Sequence, residues 1–398
     1  MSIITAIATA TPPFKHKQED ILAFMQNVYI NTYQIDEKEQ RKIKILYKKT
    51  GINTRYSCLS DYSKPQNEWE FYPKNAQLTP FPDVALRMNY FDKCALPLAL
   101  KAIKQLPDFQ EDNTNIQQKN QQKNTKITHL LTVSCTGLAA PGLDIALVSA
   151  LNLPTNTVRS SVNFMGCYAG FHALKQADYI CKADNTARVL VVCVELCTLH
   201  FQKNYDTDNL TANALFADGA CACIVTPTPI TRTNVPTNVP TNDTQGLAIE
   251  NFYSEILANG EKDMAWCITS SGFLMTLSGY ISQLIGKDMK TLFEKVLLTA
   301  NLTQNDIKHW AIHPGGKKIL EAVENSLQLP ENALEISHNV LKNFGNMSSV
   351  TIFFVLKEML EEKNNRKNQQ EKTENHQKEY IFATGFGPGL TMETAIFS

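Results

Sequence analysis

The stretch Arg159-Ser-Ser-Val-Asn-Phe-Met-Gly-Cys-Tyr-Ala-Gly-Phe-His172 decides the fold and the chemistry that this chain can support. An apolar run ends at Gly166, Cys167 follows, and residues that favour helix continue to Lys182. The pattern predicts a turn into a helix, with Cys167 in the first helical turn. Because a helix N-terminus stabilises a thiolate, we expect a lowered pKa for Cys167 and a nucleophilic role. A buried structural cysteine is the alternative interpretation.

The composition is that of an ordinary globular protein. The 398 residues are 43% hydrophobic and 19% charged, and the formal net charge is -1. No global basic field is present to attract nucleic acid or a membrane surface, and no apolar run is long enough to span a bilayer. Residues 1–8 lack the basic flank and long apolar core of a secretory signal peptide.

The ten cysteines are scattered along the chain. No pair has the spacing of a zinc site, and the chain is too long for a disulfide scaffold. We therefore expect free thiols, a reducing cytoplasmic location and no metal site.

Strand-like runs alternate with helical runs on both sides of a polar tract at residues 228–245. This order predicts an α/β protein whose mostly parallel sheets are covered by helices. The tract divides the chain into an N-terminal half, residues 1–228, which carries Cys167, and a C-terminal half, residues 246–398. A second polar tract, residues 108–126, is expected to be a surface insertion.

Two further side chains stand at turns beside glycine. His313 ends a short strand in Trp310-Ala-Ile-His-Pro-Gly-Gly316, the usual edge position for a site in an α/β sheet. A buried histidine bonded to backbone is its alternative reading. Asn346 lies in Phe344-Gly-Asn-Met-Ser-Ser349, where its simplest role is a helix N-cap. A Cys, a His and an Asn seldom occupy three such turns by chance, and together they indicate one catalytic site.

At these points the sequence resembles the type III polyketide synthases, the chalcone synthase-like branch of the thiolase superfamily. The matching motifs run in family order across nearly the whole chain: Gly166-Cys-Tyr-Ala-Gly170, Ala214-Leu-Phe-Ala-Asp-Gly219, Trp310-Ala-Ile-His-Pro-Gly-Gly316, Gly345-Asn-Met-Ser-Ser349 and Gly385-Phe-Gly-Pro-Gly-Leu390. The resemblance implies a layered αβαβα thiolase-like fold of two similar halves. It also implies a homodimer, in which Ala139-Ala-Pro-Gly142 approaches the partner's cavity.

The resemblance implies the following chemistry. Cys167, paired with His313, takes an acyl group from an acyl-CoA starter. His313 and Asn346 hydrogen-bond the thioester carbonyl of malonyl-CoA and stabilise the enolate that decarboxylation leaves. The carbanion attacks the Cys167 thioester and the chain grows by two carbons. Coenzyme A thioesters are the expected substrates, and no further cofactor is expected.

The resemblance also assigns residues around the substrate. Phe216 matches a gatekeeper between the CoA tunnel and the cavity, and Met275 falls near the second gatekeeper. Lys42 and Lys49 match positions that bind CoA phosphates, but the third basic position is Ile45 here. The other implied substrate-binding residues are Cys135, Cys197, His200, Trp266, Gly315 and Gly316. A bulky Trp266 near a plant glycine is expected to close part of the pocket.

Several alternatives remain open at this point. A coumaroyl starter is not expected. Fatty acyl starters that give alkylpyrones or alkylresorcinols remain open, and so does an all-malonyl product. The nearest rival is a single-round β-ketoacyl synthase acting on acyl-CoA or acyl-ACP, although initiating β-ketoacyl-ACP synthases follow the histidine with Gln-Ala-Asn. A thiolase proper would need a second cysteine in the turn from Gly385 to Gly389, which has none. A catalytically dead scaffold would not need Cys167, His313 and Asn346 together.

Overall fold

The computed structural model describes residues 1–110, 127–228, 246–257, 260–369 and 378–398. Residues 111–126 of the predicted insertion and residues 229–245 of the predicted dividing tract therefore lie outside the described residues. The elements of the first half are β1 (Ser2–Ala10), β2 (Phe14–Lys17), α1 (Gln18–Tyr33), α2 (Glu37–Lys49), β3 (Thr54–Ser57), α3 (Val84–Ile103), β4 (His129–Ser134), α4 (Leu143–Ala150), β5 (Val158–Asn163), α5 (Ala169–Ala183), β6 (Val189–Leu196), α6 (Thr207–Leu215) and β7 (Asp218–Pro227). Those of the second half are β8 (Leu247–Ile256), β9 (Met264–Thr269), β10 (Gly272–Leu277), α7 (Ile281–Ala300), β11 (Ile307–Ile312), α8 (Lys317–Leu327), α9 (Glu335–Phe344), α10 (Thr351–Gln369), β12 (Tyr380–Gly387) and β13 (Thr391–Phe397).

A nine-stranded sheet runs through both halves in the order β11-β12-β13-β8-β1-β7-β6-β4-β5. Among the described strands of this sheet, parallel pairing is confined to β11 with β12, β4 with β6 and β4 with β5. The expectation of mostly parallel sheets is therefore wrong, and the sheet is mixed. A short return such as the Pro388-Gly-Leu390 turn between β12 and β13 can join only antiparallel neighbours.

The two halves repeat one topology. The order β1-β7-β6-β4 in the first half matches β8-β13-β12-β11 in the second, with the same alternation of antiparallel and parallel pairs. The halves join where β1 pairs with β8 along residues 2–4. In this repeat Cys135 and His313 both directly follow equivalent strands. The exact division of the chain at residues 228 and 246 stays a prediction.

Helices α5 and α10 lie between the two halves of the sheet. They share one apolar cluster with alternate residues of β6, β7, β12 and β13, whereas α3 and α7 pack on the opposite faces. Strand β6 is buried on both faces, which explains its continuous apolar run. The resulting order of layers is αβαβα, and the predicted fold class is confirmed.

Two local features were not predicted from the sequence. Helices α1 and α2 are separate, because Gln34 adopts a left-handed conformation and Asp36 starts α2 with a capping box. The hairpin of β9 and β10 has no counterpart in the sequence reading.

Candidate active site

Cys167 lies in the tight turn between β5 and α5. Helix α5 begins at Ala169, so Cys167 precedes the first helical turn instead of lying within it. Gly166 has φ +84°, and a Cβ there would come within 2.3 Å of Pro388 Cδ. Only glycine combines that conformation with so close an approach. The turn therefore places the thiol against the loop that joins β12 and β13.

His313 directly follows β11 and is held by its backbone. Its N–H donates to the Thr384 carbonyl at 2.8 Å. Both ring nitrogens are buried and have no hydrogen-bond partner among the described residues. Within that part of the chain the His313 ring makes no hydrogen bond to backbone. This excludes the alternative interpretation of His313 as a structural histidine bonded to backbone through its ring. The ring keeps one donor and one acceptor for a substrate or a neighbouring thiol.

Asn346 has a fixed side-chain orientation. Its Oδ1 accepts the Ser348 N–H at 2.8 Å, and its Nδ2 donates to the Gly315 carbonyl at 3.1 Å. The other Nδ2 hydrogen is left for the Cys167 thiol or a ligand. The predicted N-cap role is wrong, because α10 begins only at Thr351 and Asn346 lies before the intervening 3-10 turn. Backbone bonds to Leu215 and from Ala217 hold Asn346 beside Phe216.

These three side chains line one cavity of about 290 Å³. The predicted site residues on its wall are Cys167, His313, Asn346, Phe216, Met275, Trp266, Cys135, Cys197, Lys49, Gly315 and Gly316. The catalytic candidates are buried at its inner end, whereas Lys49 is exposed. Most of the remaining wall is apolar, from side chains such as Leu46, Met264 and Leu277.

Two predicted substrate-binding residues do not line this cavity. Lys42 is exposed on α2, away from the cavity wall. His200 lines a small side cavity behind Phe216 and Trp266. Its Nε2–H donates to the Thr136 carbonyl at 3.0 Å, its Nδ1 accepts from the Phe273 N–H at 3.2 Å, and its ring stacks on Phe273. Because both nitrogens are satisfied, His200 supports the cavity wall and has no free group for substrate.

Burial sets the electrostatics of the two reacting groups. It raises the pKa of the Cys167 thiol to about 12, against hydrogen bonds from the Ser348 and Asn346 side chains that lower this pKa. It lowers the pKa of the His313 imidazole to about 3. The expected lowering of the thiol pKa is therefore wrong, because loss of water outweighs the helix N-terminus. The two reacting groups are a neutral thiol and a neutral imidazole.

The sequence reading missed three groups of residues. Ser348 hydrogen-bonds the Cys167 thiol and is held at φ +51°. Glu195, fully buried at the end of β6, accepts from the Cys135 N–H at 2.9 Å and the Ser349 hydroxyl at 2.5 Å, and burial raises its pKa to about 7. A carboxylate closing an otherwise apolar strand was the available signal. Lys317 and Lys318 begin α8 on the exposed end of the cavity wall.

The described residues contain no group of three or more Cys, His, Asp or Glu side chains placed to hold a metal ion. None of the helices in the same residues is long and apolar enough to cross a membrane. All ten cysteines are free thiols.

Family models match both halves of the chain. The model of the chalcone and stilbene synthase N-terminal domain matches residues 1–229, and that of the C-terminal domain matches residues 249–398. The chain is 27% identical over its whole length to the alpha-pyrone synthesis polyketide synthase-like Pks18 of Mycobacterium tuberculosis, covering 91% of that protein. It is 29% identical, over 98% of its length, to probable polyketide synthase 1 of Dictyostelium discoideum, but spans only 11% of that protein.

A solved structure shows the same architecture. The C-terminal type III polyketide synthase domain of Steely1, a type I/III hybrid from Dictyostelium, superposes with a TM-score of 0.81 at 26% identity. The match covers 100% of this chain and 99% of that domain.

A thiolase-like fold with a cysteine, a histidine and an asparagine in one buried cavity defines a condensing acyltransferase. Within that class, the chain belongs to the chalcone and stilbene synthase family and is a type III polyketide synthase. The rival reading, a single-round β-ketoacyl synthase, is not favoured by these matches.

Proposed function

We propose that this chain loads an aliphatic acyl group from acyl-CoA onto Cys167 and extends it with malonyl-CoA to a polyketide that closes as an alkylpyrone or a related phenolic product. The observation that carries the proposal is the single cavity. Its buried inner end holds Cys167, His313 and Asn346, its wall is largely apolar, and its exposed end carries lysines.

Loading uses the thiol and the imidazole. His313 accepts the Cys167 proton as the sulfur attacks the starter thioester, so that the growing thiolate and the imidazolium stabilise each other in contact. The tetrahedral adduct then expels the CoA thiolate, which takes up that proton. The acyl group is left on Cys167, inside the apolar part of the cavity.

Extension uses the imidazole and the amide. Malonyl-CoA enters with its thioester carbonyl oxygen between the His313 ring and the free Nδ2 hydrogen of Asn346. Loss of CO2 leaves an enolate whose negative oxygen these donors stabilise. The enolate carbon attacks the Cys167 thioester, the carbon–carbon bond forms and the sulfur leaves. No cofactor beyond the CoA thioesters takes part in these steps.

The exposed lysines fit the phosphates of coenzyme A. Lys49 ends α2 and Lys317 begins α8, and the two helix ends meet where the Lys317 side chain packs against Gly51. Together with Lys318 they present three cations at the open end of the cavity. We propose these three as the phosphate contacts in place of the pair Lys42 and Lys49, because Lys42 does not reach the cavity wall.

The active form is proposed to be a homodimer. Strand β5 is the last strand of the sheet and is mostly exposed. Val158 on β5, Ile145 on α4 and Leu138 after β4 are 54%, 45% and 42% exposed. An edge strand with exposed apolar neighbours is a template for pairing with a second chain. Such pairing would bring the exposed segment Ala139-Ala-Pro-Gly142 toward the partner. The free thiols are the basis for a proposed cytosolic location.

The test is a panel of acyl-CoA starters of increasing chain length, each incubated with malonyl-CoA and followed by mass spectrometry of the products. The proposal requires products that carry the starter plus two or more C2 units and that vanish in Cys167→Ala. A single C2 extension released as a β-ketoacyl product would contradict it.

A further inference from the structure

Arg55 on β3 is one of the largest fully buried side chains of the described residues, yet no carboxylate there lies within salt-bridge distance of it. Its charge is met by neutral acceptors. The Nε donates to Gln18 Oε1 at 2.8 Å, and Nη1 donates to the Asn213 and Phe216 carbonyls at 2.8 and 2.7 Å. A buried cation in this setting is tolerated because it sits at the C-terminal end of α6, the negative end of the helix dipole.

Gln18 completes this arrangement from the opposite side. Its Nε2 donates to the Ala214 carbonyl at 2.8 Å while its Oε1 accepts from Arg55. Two side chains thus satisfy three carbonyls where α6 ends. Phe216 directly follows α6 and has an extended backbone conformation. Its side chain lines the catalytic cavity.

The same arginine touches the segment that carries Asn346. Gly345 precedes Asn346 at φ +73°, and a Cβ on Gly345 would come within 2.9 Å of Arg55 Cγ. The Asn346 backbone in turn bonds Leu215 and Ala217, the neighbours of Phe216. The backbones of Phe216 and Asn346 are therefore fixed against each other, and Arg55 lies directly behind both.

We infer that Arg55 is a positioning residue for the decarboxylating half of the reaction, an inference that rests on the proposed function. Its planar guanidinium holds the backbone from Leu215 to Ala217. Through that backbone it holds the Asn346 amide in the geometry that binds the enolate oxygen. The Cys167 backbone is held by a different turn, on Gly166 and Pro388, and the link from Arg55 to the thiol runs through the Asn346 side chain. Loss of the guanidinium fork is therefore expected to impair decarboxylation more than acyl loading.

The variant is Arg55→Lys, which keeps the charge but loses the planar set of donors. The matched control is Arg87→Lys. Arg87 is also fully buried and also donates to backbone carbonyls, those of Pro82 and Leu199, but it touches neither Asn346 nor Phe216. Both variants are checked for cooperative thermal unfolding before kinetics.

Two rates are compared in each protein: CO2 release from malonyl-CoA without starter, and acylation of Cys167 by an acyl-CoA, followed by intact-protein mass. A displacement of about 1 Å at a catalytic group costs on the order of a hundredfold, so the ratio of decarboxylation to loading in Arg55→Lys should fall at least about tenfold. Arg87→Lys should leave the ratio within about twofold of wild type, because a general loss of stability lowers both rates together.

Each outcome decides one of the two claims. A wild-type protein that releases no CO2 overturns the proposed function, and the inference falls with it. An active wild type with an unchanged ratio in Arg55→Lys, or with an equal fall in Arg87→Lys, overturns the inference alone. If Arg55→Lys does not fold, Gln18→Ala decides, since it removes the acceptor of Arg55 Nε and the donor to Ala214; an unchanged ratio there overturns the inference.

Discussion

Replacement of Asn346 by alanine separates the two half-reactions of the site. The Asn346 amide has one hydrogen bonded to Gly315 and one left for the Cys167 thiol or a substrate, so the variant removes a single donor from the enolate oxygen. Loss of one such donor costs roughly a hundred- to a thousandfold in rate, or about 3–4 kcal/mol. Decarboxylation of malonyl-CoA should fall by that factor. Acylation of Cys167 by a starter should persist, because the thiol keeps His313 as its base and Ser348 as a hydrogen-bond partner.

The assay measures CO2 release from malonyl-CoA beside the mass of the intact protein after incubation with an acyl-CoA. Cys167→Ala is the mirror control: it should abolish acylation and condensation yet keep slow decarboxylation by His313 and Asn346. His313→Ala should impair both steps. Equal acyl-loading defects in the Asn346 and Cys167 variants would refute this division of roles.

Three further predictions concern the cavity wall, the buried carboxylate and assembly. Trp266→Ala joins the main cavity to the side cavity lined by His200 and Phe273, so product mass spectra should shift to longer chains; an unchanged length distribution would exclude Trp266 as a barrier. Burial raises the pKa of Glu195 from 4.5 to about 7, so the folded state binds the proton more tightly than the unfolded state. As pH rises from below 4.5 to above 7, this group therefore lowers the free energy of unfolding by about 3 kcal/mol. His200 and His313, whose pKa burial lowers to about 3, act in the opposite sense as pH rises from about 3 to 6.5. Glu195→Gln should therefore gain stability relative to wild type from pH 5 to pH 8, and a pH-independent difference in melting temperature would be evidence against it. Val158→Asp should convert the proposed dimer to monomer by light scattering, and a wild-type monomer would contradict the dimer itself.

The sequence was most informative where local chemistry and global fold agree. The glycine turn before Cys167 and the strand ending at His313 each follow from short patterns, and the structure has them at the expected places within a few residues. Alternation of strands and helices was enough for the α/β class, whereas the αβαβα layers were implied by the family resemblance. Alternation could not give strand direction, which depends on which distant segments the connections bring together as neighbours. The mixed sheet therefore differed from the expected mostly parallel one.

The electrostatics of the site could not be read from local sequence. The turn at Cys167 suggests a stabilised thiolate, but burial is a property of the assembled cavity and reverses the direction of the pKa shift. Asn346 looked like a helix cap because its neighbours Ser348 and Ser349 favour helix starts. In the structure its amide is instead held by Ser348 and Gly315, contacts that only the folded chain creates.

Contributions from distant segments were also invisible. Arg55 lies 161 positions before Phe216, whose carbonyl it holds, and nothing in its own stretch indicates a link to the cavity. Lys42 and Lys317 differ from the sequence expectation in opposite ways. Lys42 was assigned to the CoA phosphates by its family position and does not line the cavity, whereas Lys317 was not assigned and does line it.

The most direct test of the account is the location of the acyl group. The protein is incubated with a single acyl-CoA, digested, and mapped by tandem mass spectrometry over the peptides that contain Cys135, Cys167 and Cys197, the three thiols of the cavity wall. The account predicts a thioester on Cys167, released as extended product when malonyl-CoA is added. Acylation of Cys135 or Cys197 with Cys167 unmodified, or a Cys167 thioester that malonyl-CoA leaves unchanged, would contradict it.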